Sequence, residues 1–197
     1  MQAYLGRSAP ISPESQRFLY QGVDTQLVMQ VLDAVAPGGA GAEGFIKNEL
    51  LDKLGIAPYG WRADVSGLPR GPSGSSMTSR NMVKWGVLAM NKGKWNGEQL
   101  IPEAFIAKAS NRIVHRGVED IFFVGGRVSN PGYGYYWWQA DMKAGGDSYF
   151  SISAQGGGGQ YIILIDALDL IVVTTAHDQE AAPMQITADR ILPAFIQ

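Results

Sequence analysis

The chain has 197 residues and a formal net charge of −2; 46% of its residues are hydrophobic and 17% are charged. This composition is too apolar and too weakly charged for a disordered protein, and an acidic balance without basic blocks argues against nucleic-acid binding. The absence of cysteine excludes disulfides, thiolate metal sites and a cysteine nucleophile. No apolar run reaches the roughly 18 residues of a membrane span, and the N-terminus lacks the features of a signal peptide.

The first half of the chain predicts a mainly helical region over residues 18–110, after a Ser- and Pro-rich extended lead-in over residues 1–17. Four segments show apolar residues at helical spacing, each bounded by a capping residue or by Gly or Pro. They are residues 25–35 with Asp24 or Thr25 as cap, residues 43–54, a helix from Thr78 or Ser79 towards Gly93, and residues 102–109. A loop-rich connector is predicted over 57–77, and Asn96-Gly97 predicts a tight turn.

The second half changes character and predicts a sheet with a closing helix over residues 131–197. Strand patterns cover residues 133–139 and 149–154, and two β-branched runs, 160–165 and 170–175, predict a hairpin. Both faces of that hairpin are apolar, so we expect helices on both sides of the sheet. A last helix begins at Pro183. Helices followed by an antiparallel sheet indicate an α+β fold in a single domain.

Two weak motifs favour structural explanations. Gly39–Gly44 matches the dinucleotide fingerprint G-x-G-x-x-G, which requires a preceding strand. The preceding segment has a helical pattern instead, so a loop between helices is favoured. His115 and His177 are the only histidines, and neither has a second ligand at suitable spacing. We therefore expect neither a metal site nor a cofactor.

Two other features invite a functional interpretation. Four consecutive glycines, Gly156–Gly159, stand between two predicted strands, where a plain turn needs only one or two. Such a run would let a ligand or another chain approach the backbone closely, or it would form a loose hairpin loop. In the aromatic cluster at 133–138, strand alternation sends Trp137 and Trp138 to opposite faces. Either tryptophan could then pack in the core or line a cleft.

Six segments, taken in order, resemble one family: the serine β-lactamase and penicillin-binding superfamily, and within it the esterase and 6-aminohexanoate-oligomer hydrolase branch. Each segment is a weak match, but six in the right order are specific. They are Phe18-Leu-Tyr-Gln-Gly-Val-Asp-Thr25, Leu50-Leu-Asp-Lys-Leu-Gly55, Ser76–Gly86, Asn91–Pro102, Tyr133-Gly-Tyr-Tyr-Trp-Trp138 and Ala154-Gln-Gly-Gly-Gly-Gly-Gln160.

The resemblance implies a soluble hydrolase with a β-lactamase/transpeptidase-like fold. Its substrate would be a small-molecule ester, amide or β-lactam, and relatives are often exported. In such enzymes a serine of a Ser-x-x-Lys helix attacks the carbonyl, and a lysine and a tyrosine move protons. Tyr20 corresponds to that tyrosine, while Gly22 replaces the asparagine of Tyr-x-Asn. The third motif lacks its Lys or His here. The residues implied on the substrate and oxyanion side are Trp138 as a cleft wall, Gln155, Gly156, Gly157, Gly158, Gly159 and Gln160.

The first motif is missing, because none of the seven lysines has a serine three residues before it. The chain therefore resembles the C-terminal portion of such a hydrolase, incomplete at its N-terminus and inactive alone. Three accounts stay open: part of an active hydrolase, a relative that only binds a ligand or assembles, or a fragment that exchanges elements with another copy. An incomplete sheet would expose an apolar edge or face, so self-association is expected.

Overall fold

The computed structural model describes Gly6 and residues 18–116, 123–177 and 182–196. The chain divides into two compact units, one formed by Met1–Asp52 with Tyr59–Ser76 and the other by Lys53–Pro58 with Met77–Gln197. We call them the first and second units. That the whole chain forms one domain stays a prediction. Among the described helices, none has both the length and the apolar character needed to cross a bilayer.

In the described part of the first unit there are two helices, and most of a small hairpin also belongs to this unit. Helix α1 spans Gly22–Val35, and helix α2 spans Gly41–Ile46 and continues as a π-helical turn through Lys47–Leu51. Strand β1 (Tyr59–Trp61) pairs with strand β2 (Ser75–Met77). The predicted connector therefore contains two short strands. Its polar centre is Asp64, which accepts hydrogen bonds from the Ser66 hydroxyl at 2.6 Å and from Gln26 of α1 at 2.9 Å.

The hydrogen bond from Ser66 is also the main reason that the pKa of Asp64 lies below its ordinary value. Backbone amides of Ser66, Gly67 and Leu68 lower the pKa further because they favour the charged carboxylate. The side-chain oxygen of Gln26 accepts a hydrogen bond from the backbone amide of Gly71 at 2.8 Å. The Gln26 side chain thus forms hydrogen bonds near both ends of the loop between Asp64 and Gly71.

The second unit combines helices on both faces of one antiparallel sheet, as an α+β fold. Helix α3 is Ser79–Met90 and helix α4 is Glu103–Ser110; between them β3 (Lys94–Trp95) and β4 (Glu98–Gln99) form a tight hairpin. The main sheet contains β5 (Val114–His115), β6 (Val128–Gly134), β7 (Trp137–Ala144), β8 (Asp147–Gly156), β9 (Gln160–Ile165) and β10 (Leu170–Thr174). Helix α5 covers Ala182–Ile186 and continues through a π turn, Thr187–Ile191, to a 3-10 turn, Leu192–Ala194.

The six strands of the main sheet form a meander in the order β10-β9-β8-β7-β6-β5, so each strand pairs with its neighbour in the sequence. The predicted hairpin is confirmed: Leu170 pairs with Ile165, and Thr174 pairs with Tyr161. Every residue of β9 from Tyr161 to Ile165 is buried. This burial confirms the prediction that both faces of the hairpin are covered.

One face of the sheet is covered by α3, which lies directly on β9 and β10. Ala89 of α3 packs in a cluster with Ile162 and Leu164 of β9. The close approach depends on Gly86, where an added Cβ would lie 2.9 Å from Ile171 Cγ2 and 3.1 Å from Ile162 Cγ2. A larger residue at position 86 would therefore lift the helix from the sheet.

The opposite face is covered by the C-terminal helical segment. Its π turn packs against β7, and three of the segment's side chains are fully buried: Met184, Ala188 and Leu192. The predicted start of this helix near Pro183 is confirmed. Phe195 follows at helical spacing but is exposed, because the last turn changes to 3-10 geometry and ends before it.

Several predicted boundaries are wrong for identifiable reasons. Helix α1 begins at Gly22 after Gln21, not after Asp24 or Thr25, and Thr25 donates to the Gly22 carbonyl instead of capping. The stretch 133–139 is not one strand, because Tyr136 has φ +63 and the chain reverses there. By contrast, the Thr78 cap is confirmed by a hydrogen bond from the Asn81 amide at 3.2 Å.

We predict that Gly86→Val lowers the free energy of unfolding by about 1–3 kcal/mol, the usual cost of overpacking a core. The measurement is urea denaturation followed by circular dichroism. Val83→Leu serves as the control, because Val83 lies on the exposed part of the same helix. Equal stability of the Gly86→Val and Val83→Leu proteins would contradict the close packing of α3 on the hairpin.

Candidate active site

The glycine run forms the reversal between β8 and β9 in the second unit. Strand β8 extends to Gly156, which pairs with Gln160 at the start of β9. The turn is closed by a hydrogen bond from the Gly159 amide to the Gly156 carbonyl at 3.2 Å. Gly158 and Gly159 have φ of +103 and +91, so this backbone path suits glycine. The loop is thus a specific turn and not a loose connection.

Side chains from both ends of the hairpin fix the loop. The Gln160 side-chain amide donates to the Gly158 carbonyl at 3.2 Å and to the Ala176 carbonyl at 2.5 Å. The Thr174 hydroxyl donates to the Gly159 carbonyl at 2.9 Å. These bonds engage the carbonyl oxygens of Gly158 and Gly159, and the Gly159 amide is engaged by the Gly156 carbonyl. The amides of Gly157 and Gly158 donate to no group in the part of the chain that the structure describes.

Two further polar groups lie beside the loop. Gln155 donates to the Ser153 hydroxyl at 2.9 Å, and its own side-chain oxygen is enclosed without a hydrogen-bond partner among the described residues. Burial raises the pKa of Tyr161, the residue after Gln160, so its phenol is neutral at physiological pH. The loop environment is therefore polar and contains no charged side chain from the stretch 155–161.

Trp138 lies on the sheet face opposite α3. Its side chain is only 8% exposed, and its ring packs edge-to-face on Tyr133 at 4.6 Å and on Phe123 at 5.6 Å between centroids. Trp137 lies on the other face, against the cluster below α3, so the predicted division of the two tryptophans is confirmed. The burial of Trp138 favours packing over cleft lining, and its role as a cleft wall stays a prediction.

Tyr20 belongs to the first unit, whereas the other candidate residues belong to the second. It precedes α1 by two residues and is 59% exposed. Gly22, which stands where the resembling motif has asparagine, has a structural reason. A Cβ there would lie 2.9 Å from the Cβ of Pro72, so this packing excludes a larger side chain. The polar contact of the asparagine is therefore absent at this position.

The remaining motifs add no site. Helix α1, not a strand, precedes Gly39–Gly44, so the dinucleotide fingerprint lacks its required context. The start of α2 is capped within the chain, because the Ala42 amide donates to the Asp33 carboxylate at 2.8 Å. Among the described residues, no group of three or more His, Cys, Asp or Glu side chains is placed to hold a metal ion.

Comparisons with known proteins agree with this fold. A family model described as Beta-lactamase matches residues 1–194, and the chain therefore belongs to the beta-lactamase family. This match confirms the resemblance to the family. The resemblance to its 6-aminohexanoate-oligomer hydrolase branch is supported only by similarity of fold. None of the curated proteins compared matches the chain.

Two solved structures are similar to the chain at 16% sequence identity, a level that shows the fold alone. A Bacillus anthracis protein assigned as a 6-aminohexanoate-dimer hydrolase has a TM-score of 0.71; the match covers 98% of this chain and 49% of that one. A Bacteroides dorei protein assigned as a beta-lactamase has a TM-score of 0.66, with coverage of 94% and 61%. The chain thus spans about half to three fifths of the length of these relatives.

Sequence reasoning missed Thr174, which holds the loop from the neighbouring strand. The signal was available, because antiparallel pairing of the two predicted runs, as the structure has it, places Thr174 beside Tyr161, two residues from Gly159. Sequence reasoning also assigned Gln160 to the substrate side, whereas its amide group is engaged by the loop and by Ala176. The chain's own backbone therefore accounts for the hydrogen bonds of that side chain.

We predict that Gly159→Ala destabilises the protein by about 1–3 kcal/mol, because the backbone there has a φ that L residues disfavour and the new Cβ would lie 2.7 Å from that of Ala176. Gly157→Ala is the matched control, since a Cβ at that position meets nothing within 4 Å. Its effect should stay within about 0.5 kcal/mol. Thermal unfolding measures both, and equal losses would contradict the described loop.

Proposed function

We propose that this chain forms part of a serine hydrolase that cleaves a carboxylic ester, amide or β-lactam through an acyl-enzyme. The observation that carries the proposal is the glycine loop in a chain of the beta-lactamase family: the carbonyls of Gly156, Gly158 and Gly159 accept hydrogen bonds, while the amides of Gly157 and Gly158 have no acceptor among the described residues. Such a loop supplies hydrogen-bond donors without a charged side chain.

The role proposed for the loop is to stabilise the oxyanion that forms when the carbonyl is attacked. Backbone amides held in place before the reaction lower the barrier because they need no reorganisation. The anchors from Gln160 and Thr174 supply that rigidity. The stretch 155–161 contains no Lys, Arg or His. It therefore offers no cation that could bind a substrate carboxylate.

The role proposed for Tyr20 is general base and acid. A serine hydroxyl is a weak nucleophile until a neighbouring group takes its proton, and the same group can return the proton to the leaving atom. The exposure of Tyr20 at the start of α1 is compatible with contact to a substrate or to a reacting serine. No residue of this chain supplies the Ser-x-x-Lys nucleophile. The reaction therefore needs a serine from outside these residues.

We expect the purified chain to hydrolyse neither p-nitrophenyl butyrate nor nitrocefin above the buffer rate, and to take no label from a fluorophosphonate probe. The reading frame upstream of the Met1 codon is the second test. An in-frame Ser-x-x-Lys segment there supports the proposal, whereas covalent labelling of a serine in this chain would overturn the assignment of the nucleophile.

In a protein that joins such an upstream segment to this chain, Tyr20→Phe should lower kcat by roughly 10²–10⁴-fold, the usual contribution of a positioned proton-transfer group. Tyr59→Phe is the control, because Tyr59 lies in β1 and has no proposed role. Full activity of the Tyr20→Phe protein would refute the role of Tyr20. The acyl-enzyme proposal would then rest on the glycine loop alone.

A second candidate function, assembly with another copy of the chain, is favoured by a different observation. Helix α1 presents an exposed apolar row of Val28, Val31 and Val35, with Val31 62% exposed, although helices of this kind usually bury such a row. Strand β10 pairs only with β9 among the described strands, which leaves one edge open. Both features would be covered in a self-associated form.

Self-association predicts a dimer or larger species in sedimentation velocity at tens of micromolar protein. Val31→Lys should shift that species to the monomer, because a lysine in the apolar row is costly to bury. Val65→Lys is the matched control, since Val65 is fully exposed on a loop of the same unit. A wild-type chain that sediments as a monomer throughout would refute the assembly function without affecting the hydrolase proposal.

A further inference from the structure

The second unit contains a cavity that the proposed reaction does not use. It has a volume of about 270 Å³ and lies between the end of α3, helix α4 and the strands β8 and β9. Its apolar surface comes mainly from Ala89, Ile106, Phe150, Ile152 and Leu164. The two helices lie over the same sheet face, since both contact residues that alternate onto that face. The cavity is the space left where they separate.

One wall of the cavity is fixed by an ionic arrangement outside it. Arg112 donates to the Asp141 carboxylate at 2.5 Å and lies 4.7 Å from the ring centroid of Phe150. Asp141 and Phe150 are directly paired across β7 and β8. Because the guanidinium contacts both, the Phe150 ring is held at the cavity without needing a ligand.

The mouth of the cavity carries an unbalanced charge. Lys92 and Glu103 form an exposed ion pair at 3.5 Å, so their charges offset each other. Asp166 also lines the cavity, and its carboxylate has no partner among the described residues. The mouth therefore has a net charge of about −1 at neutral pH. A ligand with one positive charge complements it.

The cavity is separate from the glycine loop. The loop precedes β9 and Asp166 follows it, so the six residues of the strand lie between them. From Gly159 to Asp166 there are seven steps of roughly 3.3 Å, a distance of about 23 Å. A small molecule in the cavity would not reach the loop amides.

We propose that this cavity binds a small apolar primary amine, with the apolar body between α3 and α4 and the ammonium group at Asp166. A cavity of about 150 Å³ lined by aliphatic and aromatic side chains takes up benzene. In proportion, about 270 Å³ holds a body of roughly eleven non-hydrogen atoms. A ligand of this size binds with a millimolar dissociation constant.

The test uses three probes with the same apolar body: 4-phenylbutylamine, 4-phenylbutan-1-ol and 4-phenylbutanoate. Binding to the purified chain is followed by ¹H–¹⁵N correlation spectra, with shifts expected at Ala89, Ile106 and Leu164. The amine should bind about fivefold more tightly than the alcohol, the upper range for an exposed ion pair, and the carboxylate most weakly. Equal binding of amine and alcohol, or tighter binding of the carboxylate, would overturn the proposal.

Two matched pairs of variants locate the site. Asp166→Asn should remove the preference for amine over alcohol, whereas Asp169→Asn, in the same turn but outside the cavity, should retain it. Ala107→Phe should block all three probes by filling the cavity, whereas Ala104→Phe, at a position of the same helix that does not line the cavity, should not. Unchanged binding to the Ala107→Phe protein, with circular dichroism confirming its fold, would place the probes elsewhere and refute the site.

Discussion

The seating of α3 on the β9–β10 hairpin is the contact on which the other features of the second unit depend. Gly86 brings the helix close enough for Ala89 to reach Ile162 and Leu164, and this contact covers one face of β9. The glycine loop begins at one end of that strand and Asp166 follows the other end. Both the candidate catalytic loop and the apolar cavity are therefore positioned by the same helix-on-sheet packing.

The glycine loop is a candidate site made of backbone groups, at a position where the resembling motif has side chains. Gln160 and Thr174 donate to the Gly158 and Gly159 carbonyls, while the amides of Gly157 and Gly158 have no acceptor among the described residues. At Gly22 the absence of an asparagine side chain is likewise explained by packing, here against Pro72. Both departures from the resembling motifs remove polar side chains.

The sequence was informative where the determinants are local. Thr78 caps α3, Asn96-Gly97 forms the turn between β3 and β4, and the β-branched runs form the predicted hairpin. It failed where a residue adopts a conformation that its type disfavours, as at Tyr136, whose positive φ divides a predicted strand into two. It also failed where a side chain's surroundings are set by distant segments, since periodicity predicts a helix at α1 but not that Val31 is exposed.

The same distinction between local and distant contacts explains why a chain spanning about half to three fifths of its relatives can form an ordered sheet. In the meander every strand pairs with the next strand in the sequence, so the pairing needs no remote segment. Among the described residues, the outer edge of β10 and the exposed row on α1 are the features that this local pairing does not cover. The nucleophile required for acyl transfer is non-local in the same sense, because the proposed reaction draws it from outside these 197 residues. Folding and chemistry thus set different requirements: neighbouring strands suffice for the sheet, whereas a complete active site requires residues distant in sequence.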